Sequence, residues 1–152
     1  GIRTEGVATT LVDTILMDAD SRINANGGAI LMMNKKLADA LTLDIKKTYK
    51  EIMSWQTVFT GFNMAQYNGV TIASIDTWDW MINTYFKTAT AWDKPFRAVY
   101  VNPRNLLVGT PQNDVVSNLD IWFERKERRQ YVYATGKIGT MIPQADLVHV
   151  AY

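Results

Sequence analysis

Apolar residues recur at every fourth position near the start of the chain, where Leu11, Ile15, Ala19 and Ile23 form one stripe. The spacing predicts a helix over 10–23, with Thr10 as its cap and Asp13 three residues on in capping-box spacing. Asn26, Gly27 and Gly28 supply the permissive backbone that ends it. The pattern then changes to a continuous apolar run, "AILMM" at 29–33, as expected of a strand covered on both faces. Asn34 is placed to cap "KKLADAL", whose Leu37, Ala40 and Leu41 face inward. Ile45, Tyr49, Ile52 and Met53 continue at helical spacing and predict a second helical piece. This helix, strand, helix order points to a layered mixture of α and β structure.

Further along, Asn68 and Gly69 separate two β-prone runs, the preferred composition of a type I′ hairpin turn. Asp76 is expected to cap the helix "TWDWMINTYF", with Asp79 completing an acidic capping box at its positive end. Lys94-Pro95 breaks the chain before "RAVYV", a buried-strand run, and Asn102-Pro103 turns it into the strand "NLLVG". Gly109, Thr110 and Pro111 end that strand. Ile121 and Phe123 alternate with Trp122 and Glu124, and Tyr131 and Tyr133 alternate with Val132 and Ala134. Period two on both sides of a charged run predicts a long antiparallel hairpin over 119–138. Its tip is Arg125, Lys126, Glu127, Arg128 and Arg129. "ADLVHVAY", after Pro143, reads as a terminal strand over 144–152.

The 152 residues are 47% hydrophobic and 20% charged, which fits one globular domain over 1–152. Sixteen basic residues against fifteen acidic ones leave a net charge of +1, too little to attract DNA, RNA or anionic membranes through an overall field. No apolar run approaches membrane-spanning length, and the opening "GIRTEGVATT" lacks the order of a signal peptide. Cysteine is absent, so disulfides and thiolate metal sites are excluded.

Chemistry is sparse. His149 is the one histidine and lies between two valines, as a structural strand residue would. Zinc sites and His-based triads therefore have almost no partners to draw on. Asp18 and Asp20 read as a solvated helix end, and no phosphate-binding glycine pattern follows a strand. Gly136 and Gly139 read as bulge or bend positions. No catalytic residue, cofactor or metal is expected. Trp78 and Trp80 read as helix packing, whereas Trp55 and Trp92 fall near loops where exposure is expected. For the tip at 125–129 three uses stand: a solvated turn that protects an edge, a contact with another subunit, or nucleic-acid binding. Glu124 and Glu127, interrupting the basic residues, weaken the last of these.

The succession of segments nevertheless resembles a known family. A helix ending in Gly-Gly leads to a strand closing on "MMN" and a helix opening at "NKKLADAL". "YNGVTIASIDTWD", "AVYVNPRNLLVGT", "LDIWFERKERRQYVYATGKIG" and "IPQADLVHVAY" follow. Together these resemble the C-terminal half of tailed-bacteriophage major capsid proteins, the fold shared with encapsulins and the herpesvirus capsid floor. The resemblance implies an α+β fold: a mixed sheet flanked by helices over 9–110, the axial domain, and a peripheral-domain hairpin over 119–138. It also implies that 144–152 closes the axial sheet.

By the same resemblance the chain is a structural subunit of a phage or prophage icosahedral capsid, enclosing DNA without reading its sequence. Its partners would be copies of itself and other capsid components. It would be found in the host cytoplasm before assembly and in the virion afterwards, with 125–129 as the subunit contact. The arm, extended loop and spine helix of the family have no counterpart here, which implies an excised domain or a prophage relic, a dimer or low oligomer in isolation. A reading from another class is a small non-enzymatic module that stacks a nucleic-acid or glycan ligand on exposed Trp and Tyr.

Overall fold

Strand β1 (Ile30–Asn34) is a central strand, paired on both edges, and it is apolar on both faces because helices cover both. The computed structural model describes residues 4–86, 96–109, 119–134 and 138–151. Within these, β1 runs parallel to β4 (Val70–Ile75) and antiparallel to β5 (Ala98–Val101). Strand β3 (Phe62–Tyr67) pairs with β4, and β2 (Gln56–Phe59) pairs with β3. The last strand, β10 (Val148–Ala151), pairs antiparallel with β5. The sheet is mixed and six-stranded, in the order β10-β5-β1-β4-β3-β2. With its helices and separate antiparallel strand pairs, the fold is α+β, the class the resemblance implies.

Two helices, α1 (Val7–Asp18) and α2 (Lys35–Thr48), bury Val12, Ile15, Leu37, Leu41 and Ile45 against Leu31, Met33, Ile72 and Tyr100 of the sheet. These strand residues alternate in register and so share one face. A third helix, α3 (Asp76–Tyr85), buries Ile82 and lines a small apolar cavity with Val99 and Val150, whose register places them on the opposite face.

Helix boundaries differ from the sequence pattern for identifiable reasons. α1 begins at Val7 rather than after Thr10, because Gly6 takes φ +80° and Asp44 receives the amides of Gly6 and Thr9. Asp13 accepts a bond from Tyr67 instead of capping. α1 also stops at Asp18, short of Ile23. Asp20 captures the Arg22 amide, offering the chain a local alternative to helix, and Ile23 reaches the core from a 3-10 turn, Ser21–Asn24. α2 is one helix running to Thr48, and Lys50 at φ 55° turns the chain away, leaving Ile52 and Met53 outside any helix.

Asn34 and Asp79 also act differently from a pair of separate caps. Asn34 is fully buried and does not cap α2. Its Nδ2 donates to Asp79 Oδ1 at 2.6 Å, and its Oδ1 accepts from the Arg97 amide at 3.0 Å. Asp79 Oδ2 accepts from the Lys36 amide at 3.2 Å, so α3 supplies the N-terminal acceptor of α2. Asp76 is the first residue of α3, and its Oδ1 is buried without a hydrogen-bond partner.

The turn between β3 and β4 follows its composition. Asn68 and Gly69 take φ of 48° and 77°, and Tyr67 pairs with Val70. Valine tolerates this region poorly, so Gly69→Val should destabilise the fold by about 1–3 kcal/mol. Thermal unfolding checks this, and an unchanged melting temperature would count against it.

The described residues fall into two compact units, one from 1–103 with 144–152 and the other Arg104–Pro143. The second contains two two-stranded ribbons. β6 (Leu107–Gly109) pairs with β9 (Gly139–Met141), and β7 (Leu119–Glu124) pairs with β8 (Arg129–Ala134). Gly139 is a regular ladder position opposite Gly109 rather than a bulge. The Lys94-Pro95 break, Trp92, Thr110-Pro111 and Gly136 lie outside the described residues.

Candidate interaction surface

Six consecutive charges cannot be buried cheaply, and the chain places them where it reverses. Glu124 pairs with Arg129 at the last rung of the β7–β8 ladder, so the turn itself is 125–128 and Arg129 belongs to β8. Arg128 takes φ 54°, closing the turn. Arg125, Lys126, Glu127, Arg128 and Arg129 are all exposed. The acidic members have local partners: Glu127 accepts from the Tyr131 hydroxyl, and Glu124 accepts from the Lys126 amide. The Glu127 bond pushes the Tyr131 hydroxyl above its ordinary pKa.

Behind the tip, the ribbon is apolar on both faces. Ile121 and Val132 lie opposite each other with Phe123 beside them, while Trp122 stacks on Tyr131 on the other face at 5.5 Å between rings. Ile121, Trp122 and Phe123 are 50%, 45% and 61% exposed. Leu107, Val108, Ile138, Met141 and Ile142 are exposed as well. Among the residues of Arg104–Pro143 whose side chains are described, none is a buried hydrophobic; the buried hydrophobics lie in the larger unit. A two-stranded ribbon without a covering layer is marginal on its own in water.

The tip cations are exposed, so within one copy Arg125→Glu with Arg128→Glu should leave stability within about 0.5 kcal/mol of the parent. Urea unfolding of the two proteins checks this directly.

A second surface was not legible in the sequence. The chain at 51–55 leads into β2, and with β3 it leaves a groove of about 720 Å³. Met64, Tyr67 and Gln66 of β3 line it together with Asp13 of α1, and Tyr49 and Glu51 complete it. β2 pairs only with Phe62, Asn63 and Met64, so 65–67 of β3 have a strand partner on one side alone. Tyr67 donates to Asp13 Oδ1 at 2.9 Å, and burial together with that carboxylate pushes the phenol well above its usual pKa. The lining includes two carboxylates and no Lys or Arg. No short motif signals this groove, because its residues come from three separate stretches.

The tryptophans divide differently from their sequence pattern. Trp55 lies in a loop, as its sequence position suggests, but is half-buried against the core and donates from Nε1 to Thr42 Oγ1 at 2.9 Å. Trp78 is half-buried as expected, but Trp80 is exposed and edge-on to Tyr85. Asp20 pairs with Arg22, whose hydrogen bonds lower its pKa. His149 is half-buried opposite Tyr100. Among the described residues no three His, Cys, Asp or Glu side chains gather as a metal site would need, and no helix is long and apolar enough to cross a membrane. No family model, no curated protein and no solved structure matches the chain.

Proposed function

We propose that the chain is a structural subunit that associates with copies of itself, in the role of a phage or prophage capsid protein whose shell encloses DNA. The observation that carries self-association is the make-up of Arg104–Pro143: paired strands and large apolar side chains, with no buried hydrophobic of its own among the residues whose side chains are described. Exposed apolar area on this scale marks a surface that another protein covers. The capsid role itself rests on the order of segments and on a mixed sheet with helices beside antiparallel ribbons. Other capsid components would be further partners, and the virion its destination, with the host cytoplasm before assembly. The stacking-module reading has less to rest on, since Trp55 is engaged with Thr42.

The 152-residue chain alone is expected to be folded, with a mass that rises with concentration through dimers or low oligomers and without closed shells. Light scattering with negative-stain microscopy checks this. A mass that stays monomeric at every concentration would sink the self-association reading.

A further inference from the structure

The tip of the β7–β8 ribbon and the groove beside β3 are opposite in charge. The tip carries Arg125, Lys126, Arg128 and Arg129 against Glu124 and Glu127, a net of +2 from four minus two. Both glutamates are already engaged, with Tyr131 and with the Lys126 amide, whereas the cations are exposed. The groove presents Asp13 and Glu51 and no cation in its lining; Lys46, Lys47 and Lys50 lie close in sequence but do not line it.

The two surfaces also match in backbone and apolar character. The groove is lined by the half of β3, 65–67, that lacks a second strand partner among the described residues. Such an edge accepts an extended segment by backbone pairing. Among the described residues β7 and β8 pair only with each other, so the ribbon offers strand edges as well. Ile52, 85% exposed on the groove lining, offers an apolar contact for Phe123 just behind the tip. The other end of the sheet is a weaker candidate, because the one charged group lining its largely apolar cavity is Arg97, a cation that would repel a basic tip.

We propose that the basic tip of one copy docks into the acidic groove beside β3 of a second copy, an inference that rests on the self-association reading above. The contact is heterologous, tip to groove, so it propagates from copy to copy unless the rotation closes it. Exposed charges drive it, and raising the salt concentration should weaken it.

Sedimentation velocity over a concentration series tests the proposal with the full chain. Two variants are used: Glu51→Lys with Gln56→Lys in the groove, and Arg125→Glu with Arg128→Glu at the tip. Each alone should weaken self-association roughly tenfold, while an equimolar mixture of the two should recover a complex, because the reversed tip now matches the reversed groove. Circular dichroism establishes that each is folded; if the groove pair is not, Glu51→Gln replaces it with the same direction of effect. Association of the parent that neither variant changes overturns the tip-to-groove contact and leaves self-association standing. A mixture no stronger than the separate variants also overturns it. A parent that never associates removes both.

Discussion

Replacing Asp79 by alanine is expected to destabilise the protein by about 2–4 kcal/mol, because one carboxylate serves two partly buried connections. Its Oδ1 takes the Nδ2 proton of Asn34, which is wholly shielded from water, and its Oδ2 takes the Lys36 amide at the start of α2. Asn34 in turn holds the Arg97 amide just before β5. Removing the carboxylate therefore loosens α2, α3 and β5 together. Asp79→Asn keeps one acceptor oxygen and should fall between the parent and the alanine variant. Urea unfolding with an unchanged slope would measure the loss as stability. A change below about 0.5 kcal/mol would mean that the junction does not depend on Asp79.

A second carboxylate should matter nearly as much, and its effect should depend on pH. Asp44 is buried on α2 and accepts from the Gly6 and Thr9 amides and, at 2.8 Å, from Thr9 Oγ1. Burial alone would push it up, but the amides of Gly6, Thr9 and Ala8 with the Thr9 hydroxyl hold it below the ordinary carboxylate value. Removing this group leaves the first amides of α1 without their acceptor, and Asp44→Ala should cost about 2–4 kcal/mol. A depressed folded pKa contributes stability above the unfolded value of about 4, and that stability is lost as pH falls through the folded pKa. The parent should therefore lose stability below about pH 4 more steeply than Asp44→Asn, which has no charge there to lose. Equal acid slopes for the two proteins would show that Asp44 is not the group responsible.

These two carboxylates also mark where the sequence stops being legible. β1, β5, the Asn68-Gly69 turn, the charged ribbon and the closing strand can be read because each is set by neighbours within a few residues. An apolar run, two residues that accept positive φ, or six charges in a row carry their own explanation. Asp79 and Asp44 cannot be read in this way, since each serves a helix start 43 and 35 residues away in the chain. Locally, Asp79 fits its own helix, and Asp44 looks like an ordinary polar position in α2. The same limit hid the groove. The tip was visible as charge, whereas its proposed acceptor exists only once α1, the segment after α2, and β3 have come together.

The order of strands has a consequence for how the chain is made. β5 is flanked by β1, which is translated before it, and by β10, which is translated some fifty residues after it. During synthesis β5 can join β1 as soon as it appears, but its other side stays open until Val148–Ala151 has been translated. Its residues are apolar on both faces, so for that interval the nascent chain displays a strand edge of the kind that pairs indiscriminately. Slow translation through the Arg104–Pro143 region would prolong that exposure, and fast arrival of β10 would end it.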